Sequence, residues 1–365
     1  MYQKIINNDI HHHFASLAKK IKPTNAIIFT SDGNLKRKYQ SIFVDILNKI
    51  GTNVEILTIN DYPDLHYVGN VLDIKRSRSD NLVISIGGGS AIDIAKVYSA
   101  CESDNDNPIK DFSEIKLTKD KKIFNIAIPT TAGSGAESTK FATIWDRKNN
   151  KKFSFENKLL IPEVVYLYSD FLVSLPKELT LTTSLDSLCH AIDSLWNKNK
   201  TPESIALSIE ALNLIIKYLP MVMKDLQNKD IREELLKASN LSGQAINISR
   251  TSLNHSISYP LTNMYRVPHG LACAFSIIST HRKYKDEINN ILGGDLINKS
   301  VELLCNLDLE LAFRKIDQFD ELFDVNMVTK NVLKNSRISN FQFEINTNDL
   351  GELLENSYDL YLSSK

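Results

Sequence analysis

Apolar residues in the first 170 or so positions fall in short runs, separated by longer stretches with helical spacing. Ala26-Ile27-Ile28-Phe29-Thr30 reads as a buried strand ending at S-D-G. Across positions 36–50 the apolar residues are Ile42, Phe43, Ile46, Leu47 and Ile50. That is a helical period, and it stops at Gly51, a residue suited to the turn beyond a helix end. Val54 to Leu57 reads as a second strand, a helix follows over 66–78, and Leu82 to Ile86 forms a third strand running into Gly87-Gly88-Gly89. A fourth, Ile123 to Ile128, ends in P-T-T-A-G-S-G. Strands alternating with helices predict a parallel sheet with helices on both faces. After about residue 175 the strand pattern stops. Positions 176–250 read as amphipathic helices, with Ile205, Leu207, Ile209, Leu212, Ile215 and Ile216 as one example, and the rest of the chain keeps a mostly helical pattern. The expected organisation is an α/β, Rossmann-like domain over 1–174 and an all-α domain over 175–365. The boundary near Leu175-Pro176 is a change of period, not a flexible linker.

Composition adds bounds. A chain of 365 residues suits two domains, and 42% hydrophobic with 24% charged residues supplies a large core and argues against disorder. The net charge of −1 offers no basic footprint, so no nucleic-acid partner is expected. Cys101, Cys189, Cys273 and Cys305 are scattered without a C-x-x-C pair, which reads as reduced thiols in a cytoplasmic protein. The N-terminal stretch M-Y-Q-K-I-I-N-N-D-I has no apolar h-region, and no apolar run approaches the ~18 residues of a membrane span. His11-His12-His13 reads as a surface helix feature.

Candidate chemistry concentrates in three places. Asp186 and His190, in D-S-L-C-H, are four apart, which on a helix puts both on one face. His255 and His269 follow, with Pro268 making one unbroken helix between them untenable. His255 is therefore expected on a helix and His269 on the turn after it. One carboxylate and three imidazoles suit Fe(II) or Zn and leave coordination positions for substrate. Upstream, S-I-G-G-G-S-A-I-D-I-A-K joins a buried strand to a helix through three of the 13 glycines, an arrangement that cradles phosphate on helix-start N–H groups. The third place is I-P-T-T-A-G-S-G-A-E-S-T, where Gly133 and Gly135 flank Ser134 and hydroxyls at Thr130, Thr131 and Ser134 can meet a nucleotide.

G-G-G-S, P-T-T-A-G-S-G, D-x-x-x-H and the two later histidines ending in P-H-G occur in that order over residues 20–280, and as a set they resemble the iron-containing (group III) alcohol dehydrogenases. The resemblance implies a dinucleotide-binding α/β domain and a helical metal domain with the active site between them. It implies Asp186, His190, His255 and His269 as metal ligands, and Gly87, Gly88, Gly89, Ser90 and Asp93 as the pyrophosphate loop and helix start. Thr130, Thr131, Ser134 and Lys152 become further contacts to NAD(P)H. It also implies a small aldehyde or alcohol substrate and a homodimer or larger homo-oligomer.

Within the family, H-A-I-D-S-L-W-N-K-N-K-T-P-E-S and G-Q-A-I-N-I-S-R-T-S-L-N-H-S-I-S-Y-P-L-T look most like phosphonoacetaldehyde reductases. An anionic substrate needs a cation, for which Arg250 is the candidate, with Asn247 and Trp196 behind it. The chain also departs from the family. Tyr259 stands where many members carry a relay histidine, Tyr168 replaces a usual aspartate, and Thr30-Ser31-Asp32 follows the first strand where NAD-preferring members have T-D. Ser31 in the aspartate's place, near Lys36, Arg37 and Lys38, favours NADPH; Asp32 there favours NADH. Competing expectations are a dehydrogenase for an uncharged short alcohol, aldehyde or polyol, and a dehydroquinate synthase-like lyase.

Overall fold

The computed structural model describes residues 3–6, 9–59, 65–76, 79–102, 115–118, 122–146 and 151–362. The chain divides into two compact units, one of residues 1–131 and 136–174, the other of residues 132–135 and 175–365.

The first unit is built on a six-stranded sheet in the order β1-β8-β5-β4-β2-β3. Its strands are β1 (Gln3–Ile6), β2 (Asn25–Thr30), β3 (Asn53–Thr58), β4 (Leu82–Gly87), β5 (Phe124–Pro129) and β8 (Val164–Leu167), and every pairing is parallel. A separate antiparallel hairpin joins β6 (Phe141–Asp146) to β7 (Lys151–Glu156). Helices α1 (Ile10–Ile21), α2 (Asp32–Lys36), α3 (Ser41–Lys49), α4 (Leu65–Arg76) and α5 (Gly89–Ala100) connect the strands. All six residues of β4 are buried, as the continuous run L-V-I-S-I-G requires when both faces are covered. The four strands expected from the sequence match β2 to β5. The short β1 and β8 and the hairpin were not foreseen. The helix expected over 36–50 is the shorter α3, because the residues between α2 and α3 form a turn in which Lys38 adopts a left-handed conformation (φ 59°). His11 and His12 are exposed on α1, while His13 hydrogen-bonds Tyr166 Oη at 2.7 Å.

The sheet reverses its winding between β2 and β4. Chain order runs outward from β2 to the edge at β3, then returns past β2 to β4, β5 and β8. The C-terminal ends of β2 and β4 therefore flank the crevice in which open α/β sheets hold ligands.

The second unit is helical. Its long elements are α6 (Lys177–Leu195), α7 (Pro202–Val222), α8 (Lys229–Ser249) and α9 (Leu253–Tyr265), followed by the short α10 (His269–Ala274) and further helices through Tyr361. By length and composition alone α7 is apolar enough to cross a membrane, a property the sequence reading did not register; it packs against α6 and α8. Arg232 of α8 is buried and donates to Thr180 Oγ1 at 2.8 Å and to the carbonyls of Leu226 and Leu175, which ties α8 to the start of α6. Residues 132–135 belong with this unit. A Cβ on Gly133 would lie 2.8 Å from Thr183 Cβ, and one on Gly135 would lie 2.5 Å from Gly243 Cα. The glycines of the second loop thus permit close packing on α6 and α8.

Candidate metal centre and nucleotide loops

Positions 186, 190 and 193 of α6 are spaced i, i+4, i+7, so one helix face carries Asp186, His190 and Asp193. All three are buried, at 7%, 6% and 0% exposure. Asp186 Oδ1 is the meeting point: His190 Nε2 lies 3.7 Å away, His255 Nε2 3.4 Å and His269 Nε2 3.8 Å. Ligand bonds of about 2.1 Å in a tetrahedral array put donor atoms about 3.4 Å apart, so these separations suit a divalent ion at their centre. His255 Nε2 is buried without a hydrogen-bond partner, so a metal at this point would satisfy it. His269 is the first residue of α10, one step beyond the turn expected for it. A Cβ on Gly270 would meet Thr182 O at 1.7 Å, so only glycine lets α10 approach α6 closely enough to deliver His269.

Two members of this neighbourhood escaped the sequence reading. Asp193 accepts from His255 Nδ1 at 2.8 Å, from the backbone N–H of Ser252 at 2.8 Å and from Trp196 Nε1 at 3.0 Å. It also accepts from the N–H groups of Asn254 and His255 at 3.3 and 3.4 Å. It therefore fixes the ring of His255 and caps α9 from another helix, and its i+7 spacing from Asp186 was the available signal. The second is Cys273, one helical turn past His269. Asp186, His255, His269 and Cys273 offer donor atoms that all lie within 4.8 Å of one another.

The electrostatics fit a cation-binding centre. Burial pushes His190 down to about 4, so it is neutral at ordinary pH. Burial also opposes charge on His255, but Cys273, Asp186 and Asp193 outweigh it and hold the imidazole well above its usual value. Burial opposes the Cys273 thiolate in turn, yet Cys189, His255 and His269 together hold the thiol well below its usual value. Near neutral pH the proton that a metal must displace is thus the one on His255. Metal affinity is expected to rise with pH, roughly tenfold per unit for one displaced proton, up to the raised His255 value. Calorimetric metal titration of stripped protein in buffers of different ionisation enthalpy measures the released proton; an affinity flat between pH 6 and 8 would count against it.

Tyr259 is buried and its ring lies parallel to His269 at a centroid separation of 6.2 Å. The guanidinium of Arg337 sits 5.3 Å from the centre of the Tyr259 ring. Among the four expected ligands His269 has the most exposed side chain, at 26%, so the cluster is most accessible at His269. Arg250 caps α8 with an exposed side chain and a backbone at φ 68°, ψ 176°, a region nearly reserved for glycine. Its carbonyl accepts from Asn197 Nδ2 at 3.0 Å, which holds the elbow between α8 and α9. Trp196 is fully buried with its N–H given to Asp193.

In the first unit the loop residues gather at the C-terminal ends of β2, β4 and β5. Thr30 Oγ1 donates to Ile86 O at 3.0 Å, Asn34 Nδ2 to Thr130 Oγ1 at 3.2 Å, and Thr130 N to Gly87 O at 3.0 Å. Ser31 caps α2 and Asp32 is its first residue. Gly88 caps α5 without a side chain, so the first N–H groups of α5, beside Gly89 and Ser90, face the loop without a side-chain cap. None of the three consecutive glycines has positive φ. Their role is close approach: a Cβ on Gly87 would lie 2.7 Å from Ala91 Cβ, and one on Gly88 would lie 3.3 Å from Thr131 Oγ1. Asp93 accepts from Thr143 N at 2.8 Å and from the buried Lys96 at 3.3 Å, so its carboxylate anchors α5 to β6. Lys152 lies in β7 opposite Trp145. Ser134 sits in the segment, residues 132–135, that belongs with the helical unit.

Comparison with known proteins now bears on these features. Residues 3–169 match the model for iron-containing alcohol dehydrogenases, and residues 180–358 match the C-terminal model of the Fe-containing alcohol dehydrogenase family. The chain belongs to the iron-containing alcohol dehydrogenase family. It is an oxidoreductase of a family that pairs NAD(P) with an iron-type metal. It is 34% identical to the phosphonoacetaldehyde reductase of Streptomyces viridochromogenes over 211 residues, 56% of this chain and 53% of that protein. It is 28% identical to the sulfoacetaldehyde reductase of Bilophila wadsworthia over 312 residues, 83% of this chain and 80% of that protein. A solved sulfoacetaldehyde reductase from Bifidobacterium kashiwanohense in complex with NAD+ shares the fold, with a TM-score of 0.83 at 23% identity, covering 97% of this chain and 96% of that one.

Proposed function

We propose that this dehydrogenase reduces a short aldehyde with an anionic far end, phosphonoacetaldehyde being the best candidate, to the primary alcohol 2-hydroxyethylphosphonate. The observation that carries the reading is Arg337, whose guanidinium lies over Tyr259 while the Tyr259 ring lies parallel to His269. A cation one aromatic ring away from the most accessible of the donors suits a substrate with a carbonyl at one end and a phosphonate at the other. Two of the relatives act on two-carbon aldehydes bearing a phosphonate or a sulfonate.

Asp186, His190, His255 and His269 are the residues we assign to the metal, and Gly87 to Ser90 with Thr130 and Thr131 to the nucleotide. When bound, the metal supplies Lewis acidity and NAD(P)H supplies hydride. The protein's own work is positional. Asp193 holds the Nδ1 proton of His255, leaving Nε2 as the donor. Tyr259 Oη supplies the proton that the alcohol oxygen gains, in place of the family's histidine. Arg337 holds the anion, and Arg250, the sequence candidate, shapes the α8–α9 elbow. The choice of NADH or NADPH falls to Ser31, Asp32 and the neighbouring Arg37 at the end of β2. The same reading has the enzyme in the cytoplasm as a homo-oligomer.

Metal-reconstituted enzyme is expected to show higher kcat/KM for phosphonoacetaldehyde than for propionaldehyde or lactaldehyde, measured as NADH and NADPH oxidation. Arg337→Ala is expected to raise KM for the phosphonate roughly tenfold to a hundredfold, the loss of one or two charged hydrogen bonds, and to leave propionaldehyde unchanged. Equal turnover of neutral aldehydes by the wild type would favour a dehydrogenase for uncharged substrates.

A further inference from the structure

His269 and Cys273 are four apart on α10, as Asp186 and His190 are on α6, so each helix presents an i, i+4 pair of donors. Cys273 is fully buried. Its sulfur lies 3.9 Å from Asp186 Oδ1 and 3.7 Å from His269 Nε2. Both are thiol hydrogen bonds, and with sulfur bonded at about 2.3 Å and oxygen or nitrogen at about 2.1 Å two donors of one tetrahedral ion sit about 3.6 Å apart, close to the same separations. The buried His255 Nε2, without a hydrogen-bond partner, belongs to the same group of four donors. A thiol placed only to fill space has no need to lie within donor distance of a carboxylate and an imidazole at once.

We propose that Cys273 is an additional ligand of the metal centre, bound through its sulfur, so that the centre combines oxygen, nitrogen and sulfur donors. This rests on Asp186, His255 and His269 being ligands. A soft donor shifts such a centre toward Zn(II) and Co(II) and away from harder ions such as Mn(II).

Cobalt tests the sulfur bond directly, independently of turnover. Stripped full-length protein is loaded with Co(II) and its absorption spectrum recorded, beside Cys273→Ser, Cys273→Ala and Cys189→Ser. The wild type is expected to show visible d–d bands together with a near-ultraviolet sulfur-to-cobalt charge-transfer band. Both Cys273 variants are expected to keep the d–d bands and lose the charge-transfer band, while Cys189→Ser retains it. Wild-type d–d bands without charge transfer would overturn the role of Cys273 and leave the metal centre standing. Loss of charge transfer in Cys189→Ser alone would overturn it in favour of the other thiol. Absence of any d–d bands in the wild type would overturn the metal centre, and this proposal with it.

Discussion

Asp193→Asn is expected to cost this enzyme most of its metal affinity although Asp193 is not one of the assigned ligands. The carboxylate accepts from five N–H groups: three backbone donors at the start of α9, the ring of His255 and the ring of Trp196. Asparagine has the same shape but one accepting oxygen, and its amide turns two donors toward donors. At least one buried N–H is left without a partner, which costs about 1–3 kcal/mol, and the negative charge at the N-terminus of α9 is gone. The larger effect falls on His255. Without an acceptor at Nδ1, the tautomer that leaves Nε2 bare is no longer favoured. Loss of such an orienting partner typically weakens metal binding 10- to 100-fold. Chelator competition on the variant and the wild type measures this. A metal affinity within about threefold of wild type would show that Asp193 only caps α9.

Gly270→Ala is expected to destabilise the helical unit by about 3 kcal/mol or more, at the upper end of what overpacking does. The added methyl would stand 1.7 Å from the carbonyl oxygen of Thr182 and 3.0 Å from the amide nitrogen of Asp186, both backbone atoms of α6 that cannot rotate aside. Moving α10 off α6 carries His269 and Cys273 away from Asp186 and His190. The melting temperature is expected to fall roughly 6–12 °C and metal binding to weaken with it. Gly351→Ala is the control. That glycine lies inside the helix Thr347–Tyr361, and a Cβ there would meet nothing within 4 Å. It is expected to stabilise by about 0.5–1 kcal/mol, the ordinary helix preference for alanine. Melting curves of both variants that moved in the same direction would refute the close-approach account of Gly270.

How far the sequence reached depended on the distance over which each cause acts. Local pattern was enough for β2 to β5, for α6 and for the Asp186–His190 pair, because a helix face or a buried strand is set by neighbours in the chain. Even Asp193 lay in plain view at i+7, but spacing puts many residues on a face and cannot say what faces them. Rules for local structure failed where a tertiary contact took over. The helix expected over 36–50 starts only at Ser41, after a turn in which Lys38 is left-handed. The N-cap residue of α9, Ser252, makes no side-chain cap, because Asp193 from α6 does that work.

What the sequence determined by itself is the Asp186–His190 pair on one helix face, the glycine loop at a strand end, and the family to which such an order of motifs belongs. Only the tertiary structure decided that Cys273, scattered in sequence, stands among the donors, that Arg337 lies over the ring of Tyr259, and that Asp193 of α6 holds the ring of His255. The physical reason is common to all three. Periodicity fixes the direction of a side chain relative to its own helix or strand, whereas its partners are set by how elements pack, and that packing turns on contacts such as Gly270 against Thr182 that no local pattern encodes.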